Sequence, residues 1–422
     1  MSTVIEDVAA RKVFNSRGQE TLEVDITTAT SFGTASAPAG ASKGEEEVVS
    51  YPNGEVDEAI KKVEELVGPE LIGMDAGDQE EIDSFLHEID GTKNFRNIGG
   101  NTAYAFSMAV AEAAANSYGV PLFQRLAGYF ACELPYPLGN VLGGGKHALG
   151  KVPDIQEFLV LPVGATTFFE AAKANVLFHR KVGLLLKSKA LSFAGGRGDE
   201  GAWAANISNE KALEIMSKVC KEVHGEIGFE CGIGVDMAAS TLWKPKEKRY
   251  IYSNNKARRD SGEQLEFVLS LIENHDLIYV EDPFHERDFE SFAELVRKAE
   301  GRLICGDDLF VTNQKRLKHG MAVGAANSII IKVNQVGTLT DAWQTTKTAQ
   351  NAGYIPVMSH RSGDTTDPHL AHLAMAFHCP IIKTGVVGGA RIAKINELIY
   401  IEEMLGDRGR MCTLRLRGKN FV

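Results

Sequence analysis

Six short apolar runs in the second half of this sequence each lead into an ionisable residue. GIGV runs into Asp236, LIYV into Glu281, LICG into Asp307, SIII into Lys332, YIPVMS into His360 and PII into Lys383. The first three are carboxylates in succession. All-oxygen donors suit a hard cation such as Mg²⁺, which keeps several waters for a substrate to replace. No CxxC and no paired histidines join them, which argues against zinc. Lys332 and Lys383 belong to the same series. A cation nearby disfavours an ammonium, so such a lysine can lose its proton near neutral pH and act as a base. A divalent cation with a lysine base is equipment for removing a proton beside a carboxylate, the metal charge stabilising the enediolate that forms.

These residues need elements that bring them to one place. They are spaced 45, 26, 25, 28 and 23 residues apart, and a strand, a helix and two turns take about 25 residues. Segments 262–274 and 338–353 between them have helical character. A chain of such units closes most naturally as a (β/α)8 barrel, in which the C-terminal strand ends share one mouth. A lone Asp or Lys after a strand is ordinarily a turn or cap residue, but six at a steady interval make that reading poor. A doubly wound open sheet is the structural alternative, yet no glycine-rich dinucleotide loop follows an early strand. The long first interval leaves room for an excursion over the highly charged stretch 243–259. Ahead of the barrel, residues 21–27 alternate as a half-buried strand does. A small-residue loop follows at 37–44, and 55–66 and 102–117 have helical periodicity. ELPYPLGN at 133–140, with two prolines and a glycine, is the best domain boundary. The expected fold is therefore α/β, an N-terminal α+β domain over residues 1–132 followed by a barrel over 133–422.

Composition narrows the function classes. The chain has 422 residues, 44% hydrophobic and 24% charged, with a net charge of −11. This is globular composition, and the acidic balance argues against a general nucleic-acid or anionic-membrane binder. An anionic small substrate remains compatible with a locally basic site. The six cysteines are scattered, which predicts buried free thiols in a reducing cytoplasm. The first residues lack a basic start and apolar core, so no secretory signal is expected, and no apolar run approaches a membrane span.

The order and spacing of motifs resemble the enolase family nearly end to end. The motifs are NSRGQETLEVD at 15–25, PAGASKGE at 38–45, GGGKHALGKVPDIQEF at 143–158, GDEG at 198–201, VDMA at 235–238, VEDPF at 280–284, GDDLFVTN at 306–313, IKVNQVGTL at 331–339, SHRSGDTTD at 359–367 and IKTG at 382–385. A lysine base beside a divalent cation is the general pattern of the enolase superfamily. The resemblance implies a Mg²⁺-dependent lyase that dehydrates 2-phosphoglycerate to phosphoenolpyruvate, with two Mg²⁺ per active site and the second bound with substrate. It also implies a homodimer or higher homo-oligomer, and a barrel that begins irregularly with an antiparallel strand. By the same resemblance, Asp236, Glu281 and Asp307 match the first metal's ligands. Ser42 on a lid completes the second metal site. Lys332 matches the base, Glu200 the acid assisting departure of the hydroxyl, and Glu157 its carboxylate neighbour, with Gln156 beside it. Lys383, Arg361 and Ser362 match substrate contacts, His360 a site histidine, and His147 a histidine on a second mobile lid. Arg361 also has a reading of its own, since His-Arg-Ser at a strand end offers a phosphate a fork of donors. A P-loop reading of GGGKH fails, because Asn140 holds the first glycine position and His147 follows the lysine.

Departures from the family pattern surround the chemistry without touching these groups. They include Ala39 and Lys43 in the first lid, Lys146 and Leu149 in the second, Ala202 and Trp203 after GDEG, and Asp364, Thr366 and His372 after HRSG. The segment VVGGAR at 386–391 is one residue short. Lys43 and Lys146 raise the expectation of extra positive charge near a substrate phosphate, against the plainer reading that both face solvent. Two other function classes stay open at this point. One is a superfamily paralogue acting on the α-proton of a different acid. The other is a non-catalytic binding protein on the same scaffold.

Overall fold

A computed structural model describes residues 2–41, 44–188, 193–416 and 418–421. The N-terminal part opens with an antiparallel meander of β1 (Ile5–Phe14), β2 (Glu20–Thr28) and β3 (Phe32–Ser36). Leu22, Val24 and Ile26 alternate along β2 and are fully buried. They meet the helix Gly100–Tyr118, whose many alanines allow the sheet to come close. At Gly33 the approach is limiting, since a Cβ there would stand 2.2 Å from the Ala109 carbonyl oxygen.

The barrel contains eight strands among the described residues: β4 (Tyr136–Gly143), β5 (Glu157–Leu161), β6 (Gly232–Asp236), β7 (Tyr279–Glu281), β8 (Leu303–Gly306), β9 (Ser328–Ile331), β10 (Ile355–Ser359) and β11 (Ile381–Lys383). They are hydrogen-bonded in chain order, and β11 closes on β4 with Lys383 opposite Leu138. β5 runs antiparallel to both β4 and β6, and the rest are parallel. This is the irregular start that the family resemblance implies. Two helices, Phe168–Ser188 and Asn209–Ile227, then bring the chain from β5 back to the start of β6.

The stretch 133–140 contains the beginning of a barrel strand. Its turn-like residues serve close packing, because a side chain at Gly139 would meet Asn175 and Val386 within 2.8 Å. The helices Ser261–His275 and Leu339–Asn351 fall where the sequence places helical segments. Asp260 and Glu263 start the first of these with a capping box. The charged stretch after Asp236 is an excursion, a small antiparallel sheet of Trp243–Lys244, Arg249–Ile251 and Arg258–Arg259. All six cysteines are free thiols. No helix among the described residues is long and apolar enough to cross a membrane.

Candidate active site

The strand ends meet as the apolar runs predict. Asp236 ends β6, Glu281 ends β7 and Lys383 ends β11, while Asp307, Lys332 and His360 directly follow β8, β9 and β10. Glu157 reaches the same mouth from the other direction. It is the first residue of the antiparallel β5 and pairs with Asp236. A cavity of about 330 Å³ is lined by His147, Gln156, Glu157, Glu200, Asp236, Asp307, Lys332, His360, Arg361, Ser362 and Lys383. Glu281 is not on that lining. It is fully buried and bonded to Lys383. Ser42 and Lys43 lie outside the described residues. Lys146 is exposed and takes no part in the lining, as the plainer reading has it.

Lys383 Nζ lies 3.1 Å from Asp236 Oδ2, 3.1 Å from Glu157 Oε2 and 2.9 Å from both oxygens of Glu281. Burial works against its charge, but Asp236, Glu157 and Glu281 overcome this and hold the ammonium well above the ordinary lysine range. Lys332 donates to Asp307 Oδ2. Burial opposes its charge too, and Asp307 tips the balance upward. Gln335 donates to the other Asp307 oxygen at 3.0 Å.

The donor chemistry fits a divalent cation. The carboxylates Glu157, Glu200, Asp236, Glu281 and Asp307 meet at this mouth around Lys332 and Lys383. Burial, and then repulsion from Asp236, pushes Glu281 well above the usual carboxylate range. Gln156 Oε1 is a buried acceptor without a hydrogen-bond partner. Asp236 and Glu281 at paired strand ends, with Asp307 after the next strand, offer carboxylate oxygens that could hold such an ion. Two groupings of the described residues have ligand atoms within 4.8 Å of one another, His147 with Glu157 and Glu200, and Asp282 with Asp307 and Asp308, and Asp236 and Glu281 are in neither. In the first the histidine is itself the cation. In the second both Asp282 oxygens are used by the backbone N–H groups of Asp307 and Asp308.

On the side of the cavity near β5, His147 Nδ1 sits 3.2 Å from Glu157 and 3.7 Å from Glu200. Burial disfavours its charge, yet the two carboxylates raise it to about 9. The loop bearing His147 is zipped to the GDEG turn, since Asp199 N donates to the His147 carbonyl at 3.0 Å. Glu200 accepts from Asn140 Nδ2 at 3.0 Å and has His360 Nε2 at 3.3 Å. Burial works against its charge, and the hydrogen bond from His360 with the charges of His147 and Arg391 holds it well below the usual range.

The third wall suits a phosphate. Arg361 is 4% exposed. Its Nη1 donates to Asn334 Oδ1 at 2.9 Å and its Nη2 to Glu47 Oε2 at 3.0 Å. Ser362 Oγ accepts from Ala41 N at 2.6 Å. Gly40 and Ala41 line the mouth here. Ala39 and Gly363 exchange backbone hydrogen bonds, and Glu45 N donates to Glu286 Oε2. Glu47, Asn140, Tyr279, Asn334 and Arg391 belong to the site without having been singled out by the sequence. Glu47 is one of three consecutive glutamates, and nothing in that run marks which one turns inward.

Residues 5–126 match the family model for the enolase N-terminal domain, and residues 131–419 match that for the enolase C-terminal TIM barrel domain. Curated proteins named enolase are similar along almost the whole length. That of Methanothermobacter thermautotrophicus is 54% identical, covering 96% of this chain and 97% of its own. That of Methanosphaera stadtmanae is 52% identical, covering 96% and 98%. That of Pyrobaculum aerophilum is 48% identical, covering 98% and 99%.

Proposed function

We propose that this chain, which belongs to the enolase family, carries out its dehydration with Lys332 as the base and Glu200 as the acid. The protein is a phosphopyruvate hydratase, the lyase that converts 2-phosphoglycerate to phosphoenolpyruvate in glycolysis. The observation that supports the residue assignment is the separation of the two groups. Lys332 follows β9, and Glu157, which shares His147 with Glu200, opens β5. The two strands are four apart in a closed ring of eight, so the groups face one another across the mouth. A substrate held between them presents its C2 proton to one wall and its C3 hydroxyl to the other.

The other residues follow from their chemistry. Arg361 and Ser362 offer the phosphate a bidentate fork and a hydroxyl. Lys383 binds the substrate carboxylate or hydroxyl. His147 and Glu157 keep Glu200 oriented, and the two lids exclude water. Mg²⁺, when bound at Asp236, Glu281 and Asp307, supplies positive charge that stabilises an adjacent anion. A second Mg²⁺ arriving with substrate, with Ser42 among its ligands, completes the reading. So do a division of the chain at 132/133, a homodimer in solution and a cytoplasmic location.

The test follows phosphoenolpyruvate formation from 2-phosphoglycerate by ultraviolet absorbance, with Mg²⁺ and then with excess chelator. Turnover should require the metal and fall by roughly 10²–10⁴ in Lys332→Ala and in Glu200→Gln. Lys332→Ala should also lose exchange of the C2 proton with solvent, a step that does not need the acid. Full turnover in either variant, or none in the folded, metal-bound parent, overturns the assignment.

A further inference from the structure

Arg391 lies in the first turn of the helix Gly389–Leu405 and is 2% exposed. Its guanidinium does not line the substrate cavity. Nη1 contacts His360 Nδ1 at 2.9 Å and the Arg361 carbonyl at 2.8 Å. Nη2 donates to the Ser362 carbonyl at 2.6 Å and the Asp199 carbonyl at 3.3 Å. One side chain thus ties the phosphate-binding turn to the turn that carries Glu200. The backbone makes room for it, since a Cβ at Gly385 would stand 3.2 Å from Arg391 Cγ.

The contact with His360 has a direction. A guanidinium has donors only, so His360 Nδ1 must be the acceptor. A neutral imidazole with Nδ1 as acceptor carries its proton on Nε2. That nitrogen is 3.3 Å from Glu200 Oε1. The other tautomer and the imidazolium both set an N–H against an N–H. We infer that Arg391 is a positioning residue that fixes His360 as the neutral Nε2–H tautomer, aimed at the catalytic acid Glu200. The inference deepens the proposed function and rests on it for the role of Glu200.

The surroundings agree. Glu200 faces His360 from the GDEG turn, Arg391 from its helix and Asp364 from its own turn, and the His360 N–H donates to the Lys383 carbonyl. Burial and Arg391 outweigh Glu200 and Asp364 and bring the ring down to about 4. A neutral donor adds no positive charge beside Glu200, whereas an imidazolium there, in addition to His147, would hold it more firmly as a carboxylate.

The test is nitrogen NMR of the full-length protein labelled with ¹⁵N-histidine, His360→Gln identifying the His360 signals. The parent should show one protonated nitrogen, Nε2, unchanged over the neutral pH range. In Arg391→Met, His360 should titrate near the ordinary histidine value, about 6.5. The activity of that variant should gain an acid limb at the same pH, falling a further tenfold or so one unit below it. Arg391→Lys, which keeps a donor at Nδ1, should retain the tautomer even if turnover drops. A titrating or Nδ1-protonated His360 in the parent overturns the inference without any variant, and so settles the case where Arg391→Met does not fold. A folded Arg391→Met with parent signals and parent pH profile overturns it as well. If the Nε2–H tautomer is found but no phosphoenolpyruvate forms, the proposed function fails and the tautomer assignment stands.

Discussion

Lys383 Nζ reaches both carboxylate oxygens of Glu281 at 2.9 Å from the far side of the barrel. β11 and β7 are four strands apart in the ring, so the lysine spans the mouth to neutralise the deepest acid of the site. Asp236 and Glu281 are held by Lys383, and Asp307 by Lys332. Replacing any one of them by its amide should weaken Mg²⁺ binding about 100-fold. Calorimetric titration of the folded variants without substrate checks this. Parent-like affinity in all three would move the metal elsewhere.

Tyr279 donates to Glu281 Oε2 at 2.6 Å, and both side chains are fully buried. Gly234 on the neighbouring strand leaves space for it, as a Cβ there would stand 2.8 Å from Tyr279 Cβ. Tyr279→Phe removes the donor and keeps the ring. The expected outcome is a folded protein, destabilised by about 1–3 kcal/mol. Its Mg²⁺ affinity should fall roughly tenfold, the effect of losing a partner that orients a ligand. Denaturant unfolding and metal titration read the two effects separately.

Arg361 should be irreplaceable by lysine. Its two nitrogens are already spread between Asn334 and Glu47, the fork geometry that a phosphate uses. Arg361→Lys should raise KM for 2-phosphoglycerate by about 10–100-fold while lowering kcat less. An unchanged KM would show that the phosphate is held by other groups.

The strand-end groups were legible because a barrel strand is apolar until it leaves the core, so a run that ends in Asp, Glu or Lys marks the mouth. The same rule misses Glu157. Its strand is antiparallel, so the charge precedes the run FLVL instead of ending it, and only the family motif pointed there. Tyr279 was hidden inside LIYV, where an aromatic reads as core and its hydroxyl goes unnoticed. Arg391 was hidden because a charged residue near a helix start ordinarily reads as surface. Only the folded chain shows four acceptors converging on it. The prolines at 135 and 137 read as turn residues, and Pro137 sits in β4 opposite Ile382, where its carbonyl accepts from Asn175.

His147 gives a pH dependence with a definite sign. Its value is raised from 6.5 to about 9 between Glu157 and Glu200. The interaction is fully present below 6.5 and is lost as pH rises through about 9. Activity of the parent should therefore fall on an alkaline limb near that value as the loop bearing His147 loses its hold on the two carboxylates. In His147→Gln the limb should disappear, from a lower plateau. Retention of the limb in that variant would assign it to a different group.

A second histidine joins the two parts of the chain. His369 Nε2, in the barrel helix His369–Ala376, lies 3.3 Å from Glu112 Oε1 on the N-terminal helix Gly100–Tyr118. Glu112 also accepts from Thr34 N, and Asp367, 3.8 Å from His369 Nδ1, accepts from Ser36 N. Burial opposes the imidazolium, but the hydrogen bond to Glu112 raises His369 above its ordinary value of 6.5. Glu112 is lowered from 4.5, with burial again overcome by His369. The histidine contribution is fully present below 6.5 and fades as pH rises through the raised value. The glutamate contribution is present above 4.5 and fades as pH falls through the lowered value. Both act together only between those limits. A double-mutant cycle of His369→Leu and Glu112→Gln, read by urea unfolding near pH 5.5, should give a coupling of about 1–3 kcal/mol. The same cycle at about pH 9 should give a smaller value. A coupling that grows with pH would mean that the pair is held by something other than its charges.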